Sequence, residues 1–568
     1  MCGIAGLKSL QYRELGPLLE EMLASMQHRG PDGAGFVIDG VCQRRPHLSD
    51  LELKGKRGTT ALGHVRLAIT GSGEGLQPFQ SDDSKLSLLH NGEIYNYRTL
   101  AAGLEHDLSK ATGSDSEVLL HMISEDYSGD LGKTMRRVLP KLDGVYAIAV
   151  SDGRKTIIAR DKIGVRQLYY YSVSGLVAFA SEKKPLMALG GKNVDIRRLL
   201  PGHMMGIEGD SIVIESFWKP AMIRRPVSIS DPQKAIVEYD RVIRESIEKR
   251  IRGRSRVGII YSGGIDSLLI AYLAKQMGVP LTCYASGRDQ GASDLDWARR
   301  TADKFDFPIE TRALSIDDIE ELIPSIIQDI EDQSLNQVEV AIPIYASVRM
   351  AQEAGERVIL TGQGADELFG GYPWYSNIVD REGYDEFVER SWEDACLLYK
   401  ECLEREDKIA MAHSIELRVP FLDPQVFEFA FSIAPDLKIR RGRDAVRKWV
   451  HREYCRWLGI PDEIAFRKKE AAQHGANVHS VFEELAVKDD LNEKLMRNIG
   501  YDPEQTVTEK LGSSSRYGFK YGSRDLWKPL PHVQFYLDCR ARDLGMLSPA
   551  ARVHLEKARR QLSEVSTR

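Results

Sequence analysis

The second residue of this chain is a cysteine, and at that position a cysteine has a chemistry open to it that others lack. Removal of the initiator methionine, favoured by a small following side chain, would leave a thiol and a free α-amine on one carbon skeleton. An α-amine titrates near ~7.7–8, so around neutral pH a useful fraction is unprotonated and can relay the thiol proton. Nucleophile and base then arrive together. Much further along, Ser262-Gly-Gly-Ile-Asp-Ser267 lies between the apolar run Val257–Tyr261 and an apolar helical stretch opening at about 267. Gly263 and Gly264 let backbone amides approach phosphate oxygens, and the helix N-terminus adds partial positive charge. Ser262 and Ser267 supply hydroxyls, and Asp266 is a candidate ligand for Mg2+. There is no GxxxxGK pattern followed by Ser or Thr, so this is not a Walker loop. A second small-residue loop, Thr361-Gly-Gln-Gly-Ala-Asp-Glu367, follows the run Val358–Leu360 and offers Asp366, with Glu367, as another acidic partner for the ion.

The elements that must position these residues fall into two textures. Residues 1 to 218 carry short apolar or alternating runs broken by glycine, such as LSLLHNGEIY, GVYAIAVSDG and GLVAFASEKK. Such runs predict antiparallel strands with tight turns, with amphipathic helices near 16–28 and 115–126, an α+β pattern. Residues 219–233, KPAMIRRPVSISDPQ, carry three prolines and read as a linker. From 234 to 568 short apolar runs, small polar loops and helices alternate, which predicts an α/β doubly wound parallel sheet with added helices and its site at the carboxyl ends of the strands.

Composition sets outer bounds. The 568 residues are 42% hydrophobic and 28% charged with a formal net charge of −6, which gives no basic footprint for nucleic acid or for an anionic membrane. The seven cysteines are widely and irregularly spaced, without a paired or zinc-like pattern. An odd count of that kind fits a reducing compartment. No apolar run approaches ~20 residues and the start lacks a secretory core, so the expectation is a cytoplasmic protein without a membrane span.

Around Cys2 the blocks MCGIAG, HRGPDGAGF (28–36), GHVRLAI (63–69), HNGEIYNY (90–97), GSDSEVLL (113–120) and RDKIGVRQLYY (160–170) follow in order. Here the chain resembles class II glutamine amidotransferases, over essentially all of 1–210. The resemblance implies the N-terminal-nucleophile hydrolase fold of stacked antiparallel sheets. It implies that Cys2 attacks the glutamine carboxamide, that Asn91 and the Gly92 amide form the oxyanion hole, that Arg66 pairs with the α-carboxylate, and that Asp115 and Glu93 hold the α-ammonium.

The Ser262–Ser267 loop resembles the pyrophosphate loop of ATP pyrophosphatases. Joined to TGQGADE, to MAHSIELRVPFLD (411–423) and to RKKEAAQHG (467–475), it resembles glutamine-hydrolysing asparagine synthetases. That likeness implies ATP as substrate, touched by Tyr261, Ser262, Gly263, Gly264, Asp266, Ser267, Ser286, Thr361 and Gly362, with Mg2+ on Asp266 and Asp366. Lys469 would neutralise departing pyrophosphate, and Arg418 would be structural. The aspartate carboxylate would be adenylated, and ammonia freed at Cys2 and carried along a shielded path would displace AMP. The family also implies a homodimer, by analogy alone.

Two stretches depart from the family pattern. Gln363 stands where these synthetases carry a glutamate, and glutamine cannot accept a proton; Glu339 and Glu367 are conceivable substitutes. The segment NQVEVAIP (336–343), expected to face the acid, also differs. Two alternatives therefore stand beside asparagine synthesis: the same chemistry on another acid or a nucleoside acceptor, and a non-catalytic glutamine-binding regulatory subunit. The tail beyond about 500 reads as a lid or packing element.

Overall fold

The computed structural model describes residues 2–69, 75–105, 113–173, 175–190, 196–289, 293–442, 446–467, 476–507, 520–521, 524–525 and 530–566. The chain forms two compact units, Met1–Met222 with Met411–Glu416, and Ile223–Ala410 with Leu417–Arg568.

The glycine-punctuated runs of the first unit form two sheets. One has the strand order Arg197–Arg198, Tyr169–Val173, Leu176–Ala180, Gly3–Glu14, Arg57–Val65, Ala34–Ile38, Val41–Arg45; the other runs Ser211–Ser216, His203–Glu208, Lys155–Arg160, Gly144–Ser151, Ser87–Ile94, Phe79–Gln80. Neighbours in both pair antiparallel. Because side chains alternate across a strand, each sheet presents two faces. The inner faces meet in one apolar cluster, Ile4, Leu62, Val177 and Phe179 from the first sheet against Leu89, Ala147, Ile158 and Met205 from the second. On the outer face of the first sheet, Leu19, Met22, Leu23 and Leu186 bury the helices Gly16–Ala24 and Lys184–Gly190. On the outer face of the second, Leu119, Leu120, Ile123, Leu131 and Met135 bury Asp115–Asp126 and Leu131–Val138. Each such side chain contributes about 1.5–3 kcal/mol, and the result is a helix–sheet–sheet–helix stack, with the stacked antiparallel sheets that the resemblance implied. The helix at 115–126 starts where Ser114 accepts a hydrogen bond from the Ser116 amide. Leu131–Val138, absent from the sequence reading, is capped by Asp130 and buries Leu131, Met135 and Val138, one face at helical spacing.

The second unit is built on a five-stranded sheet, in the order Ile309–Leu314, Leu281–Arg288, Val257–Ile260, Val358–Leu360, Glu416–Arg418. The first four strands pair in parallel. Val257–Ile260 and Val358–Leu360, inside that sheet, are short and apolar because both faces are covered, as parallel sheets require. Ile265–Gln276 and Leu335–Glu353 are among the covering helices, with Leu268, Leu269, Ile342 and Val348 buried.

Residues between Met222 and the next long helix are tied down. Arg224 and Arg225 pair with Glu389 and Glu428, and the Ser228 and Ile229 amides donate to the Ser432 carbonyl at 2.8 and 3.1 Å. Asp231 then caps Pro232–Ile251, accepting from the Lys234 amide at 2.8 Å. The tail contributes the packed helices Pro531–Asp543 and Pro549–Ser566; Gln534 accepts from the Leu335 amide at 3.0 Å and donates to the Gln333 carbonyl at 3.0 Å. Most of the stretch SSSRYGFKYGSRDLWKPLP lies outside the described residues.

Candidate active sites

In the first unit the pairing of Gly3 with Val65 brings Cys2, one residue earlier, opposite Arg66. Cys2 is buried, 7% exposed. Burial pushes its thiol up, while the Leu67 backbone amide and the Arg66 guanidinium pull it down and Glu416 pushes it up further. The Cys2 nitrogen donates to Asn91 Oδ1 at 2.9 Å, which turns the Asn91 amide so that Nδ2, buried and without a hydrogen-bond partner, is left as a donor. A fixed donor beside a nucleophile is what an oxyanion needs, because it costs nothing to orient when charge develops. Next to it Gly92 has φ +151, and a Cβ there would lie 2.0 Å from the Val145 carbonyl oxygen. No other residue fits.

Arg66 is held by its backbone, donating to the Gly33 carbonyl at 2.8 Å and accepting from the Asp32 amide at 2.9 Å. Asp115, the first residue of its helix, accepts from the Ile94 amide at 2.8 Å and the Ser116 amide at 3.0 Å. The bond from Ile94 ties it to the strand that carries Asn91, Gly92 and the buried Glu93. Burial pushes the Asp115 carboxyl up to about 6 against those two amides. The structure thus joins Cys2, Arg66 and Asn91 directly and links Asp115 through Ile94.

Four residues that the sequence reading did not single out, Arg29, Glu182, Arg166 and Glu416, surround this site. Arg29 donates from Nε to the Cys2 carbonyl at 3.1 Å and pairs through Nη1 with Glu182 at 2.8 Å, both side chains fully buried. Arg29 stands inside the block HRGPDGAGF, which was the available signal. Glu416, 250 residues beyond Arg166 and in the segment Met411–Glu416, lies 3.6 Å from the Arg166 guanidinium and acts on Cys2, His90 and Asp115.

The second site sits where the strands Val257–Ile260 and Val358–Leu360 end. Gly263, at φ +68, packs against Ala298 and Trp297, whose Nε1 donates to the Gly263 carbonyl at 2.9 Å. Ser262 Oγ accepts from the Gly264 amide at 3.2 Å, and Ser267 Oγ accepts from the Ser262 amide at 3.3 Å, so the two hydroxyls shape the loop. A Cβ on Gly362 would come within 2.9 Å of Asp266 Cβ, which sets the second loop hard against the first. Thr361 extends that strand, its amide donating to the Arg418 carbonyl at 3.1 Å.

Asp266 and Asp366 face one space, because Lys448 Nζ lies 2.6 Å from an oxygen of the first and 2.7 Å from an oxygen of the second. Both carboxylates reach the Lys448 ammonium, and with nucleotide phosphate and water supplying further ligands this pair would be the one to hold Mg2+. Among the described residues no three His, Cys, Asp or Glu side chains gather as a metal-binding group. Gly371 makes room for the arrangement: a Cβ there would lie 1.8 Å from Asp366 Oδ1 and 2.3 Å from Lys448 Cε.

Some expected contacts have other uses here. The Tyr261 hydroxyl donates to Thr301 Oγ1 at 2.9 Å inside the core, and Ser286 Oγ donates to the Pro343 carbonyl at 2.6 Å, which packs the helix Leu335–Glu353 on its strand. Both hydroxyls are thus used in packing the protein itself. Lys469 lies outside the described residues. Lys448, fully buried, was not legible in RDAVRKWV, where a lysine between arginine and tryptophan looks like a surface charge. Arg418 is structural, its Nη1 donating to the Arg250 carbonyl.

Among the described residues no helix is long and apolar enough to cross a membrane. A glutamine amidotransferase domain family matches residues 1–199, and an asparagine synthase family matches 238–394 and 379–538. A Methanocaldococcus jannaschii protein, assigned provisionally as glutamine-hydrolyzing asparagine synthetase 1, is 33% identical over 86% of this chain and 96% of its own length. A Schizosaccharomyces pombe protein, provisionally of the same name, is 30% identical over 84% and 85%. An Arabidopsis thaliana glutamine-hydrolyzing asparagine synthetase 1 is 28% identical over 85% and 79%. With both domain families in order along one chain and this likeness over nearly the full length of a relative, the chain belongs to the glutamine-hydrolysing asparagine synthetase family.

Proposed function

We propose that this chain is a glutamine-dependent asparagine synthetase, an ATP-dependent carbon–nitrogen ligase that turns aspartate, ATP and glutamine into asparagine, AMP, pyrophosphate and glutamate. The observation that carries the reading is the pairing within one chain of a buried cysteine, its backbone nitrogen held on an asparagine carboxamide, with two carboxylates drawn to one lysine at the ends of parallel strands.

Cys2 Sγ attacks the glutamine side-chain carbonyl, and its proton passes to the α-amine exposed once Met1 is removed. Asn91 Nδ2 and the Gly92 amide take the oxyanion charge, the carbon–nitrogen bond breaks, and the leaving ammonia takes the proton. Water then frees glutamate from the thioester. Arg66 meets the α-carboxylate of glutamine; Asp115 and Glu93 meet its α-ammonium. In the second unit the Ser262–Ser267 loop and the Thr361–Gly362 backbone receive the phosphates. Asp266 and Asp366 would hold Mg2+, which would offset phosphate charge. Lys448 adds a fixed positive charge beside those carboxylates, and Lys469 is proposed to help release pyrophosphate. The aspartate side-chain carboxylate attacks the α-phosphorus and pyrophosphate departs, leaving an acyl-adenylate. Ammonia replaces AMP on it. A cytoplasmic location and a homodimer belong to this reading.

Incubation with glutamine, MgATP and aspartate, followed by mass analysis, should yield asparagine with AMP. ADP with orthophosphate would reject the mechanism. Cys2→Ala should lose glutamine-dependent synthesis and keep synthesis from ammonium salt, and the mass of the intact enzyme should lack the initiator methionine. Gln363 and the 336–343 segment favour one rival, amidation of a different acid; ATP–pyrophosphate exchange stimulated by aspartate and by no other acid removes it.

A further inference from the structure

Amide formation from an acyl-adenylate needs a proton acceptor, because ammonia carries one hydrogen more than the amide keeps after it attacks. In the second loop the side chain nearest the phosphate-binding backbone is Gln363, a carboxamide that can orient ammonia but cannot take a proton. The structure shows where its Nε2 goes: it donates to Glu406 Oε1, on the helix Glu404–Ala412, 43 residues away. Neither Glu339 nor Glu367 has that contact, and Glu367 accepts the Tyr372 hydroxyl at 2.6 Å instead.

Glu406 is fully buried, yet its second oxygen, Oε2, has no hydrogen-bond partner. An unsatisfied carboxylate oxygen in a protein interior is costly and calls for an explanation. Arg405 Nη2 lies 3.5 Å from Glu406 Oε1, and Arg405 Nη1 donates to Gln337 Oε1 at 2.7 Å. Gln337 belongs to the 336–343 segment that the sequence assigned to the acid substrate. Three elements therefore bring Gln363, Glu406, Arg405 and Gln337 together: the loop at the end of Val358–Leu360, and the helices Glu404–Ala412 and Leu335–Glu353. Burial pushes the Glu406 carboxyl up to about 7, against the pull of Arg405 and the Gln363 amide. A group so poised is half ionised near neutrality, which suits a base that must both accept and release a proton.

We propose that Glu406 is the general base of the amide-forming step, with Gln363 as the positioning residue that holds it beside the reacting carbon. This rests on the asparagine synthetase reading. The nitrogen of ammonia forms a bond to the acyl carbon, giving a tetrahedral intermediate with a protonated amine. Glu406 Oε2 takes one proton from that nitrogen. The bond from the acyl carbon to the phosphate oxygen then breaks, AMP leaves with the bonding pair, and the carbonyl re-forms. Glu406 returns its proton to water.

The test uses the full chain with ammonium as nitrogen donor, so that the thiol site plays no part. Aspartate-stimulated ATP–pyrophosphate exchange reports adenylation alone, and asparagine formation reports both steps. Glu406→Gln should keep exchange within about threefold and lose about 10²–10³ of asparagine formation, the usual share of a general base. The double variant Gln363→Glu with Glu406→Gln, which moves the carboxylate by one contact, should recover at least tenfold of that loss. Asparagine formation unchanged in Glu406→Gln, exchange lost in parallel with synthesis, or no recovery in the double variant would each overturn the assignment. Absence of aspartate-stimulated exchange in the unaltered enzyme would instead overturn the reading beneath it, and the assignment with it.

Discussion

Asp115 shows how a single buried carboxylate sets a pH limit. Its two backbone hydrogen bonds favour the ionised form, but burial outweighs them and its carboxyl is held at about 6, above the usual value of 3.8. Between those two values the folded protein binds the proton that the unfolded chain releases. This group's contribution to stability is therefore full below about 4 and declines as pH rises towards 6. Its proposed task has the opposite demand, since only the ionised carboxylate attracts the ammonium of glutamine. The KM for glutamine should rise as pH falls below about 6, with ammonium-dependent synthesis free of that rise. In Asp115→Asn the KM should be raised at pH 8 and nearly flat between pH 5 and 8. Steady-state glutaminase assays across that range decide it. An unaltered slope in the variant would remove Asp115 from the glutamine site.

At the scale of elements, much was legible because local pattern and tertiary role agree. The runs Val257–Tyr261 and Val358–Leu360 are apolar on both faces, which only a covered parallel sheet accommodates, and both are strands. The helix at 115–126 was marked by its cap and apolar face. What escaped depends on contacts between distant residues: Lys448 with Asp266 across 182 positions, Glu406 with Gln363, Glu416 with Arg166. A lone charged residue carries no local sign that it will be buried against a partner.

Two substitutions test elements of the second unit. Gly371→Ala puts a methyl group where Asp366 and Lys448 already lie, so pyrophosphate exchange should fall at least tenfold while glutaminase stays intact. Lys438, buried against the Phe431 ring at 4.2 Å, has its ammonium driven down to about 7 by burial alone. The unfolded chain binds that proton more tightly, so the penalty is present below pH 7 and fades as pH rises towards 10. Lys438→Met keeps the length and removes the charge, and should stabilise the chain at pH 7 by at least about 1 kcal/mol in denaturant melts. The gain should vanish near pH 10.

For the whole molecule, the division of labour along the sequence differs from the division in space. The block MAHSIELRVPFLD reads as one synthetase motif, yet Met411–Glu416 belongs to the amidotransferase unit and the chain from Leu417 onward to the other. Within the first unit the Ser414 hydroxyl donates to the His28 carbonyl at 2.7 Å, Met411 packs on Leu67, and buried Glu416 faces buried Arg166. Breaking a buried ion pair from one side costs about 3–5 kcal/mol, because a charge is left without its counter-charge. Glu416→Gln should therefore weaken the unit that carries Cys2, although position 416 lies among synthetase motifs. Heating the variant should abolish glutaminase at a lower temperature than in the unaltered enzyme, by several degrees, while pyrophosphate exchange keeps its own midpoint. The additional exchange of Arg166→Met should restore part of the lost stability, since removing both charges leaves no unmatched one. If Glu416→Gln lowers only the exchange midpoint, the segment serves the second unit and the spatial division drawn here is wrong.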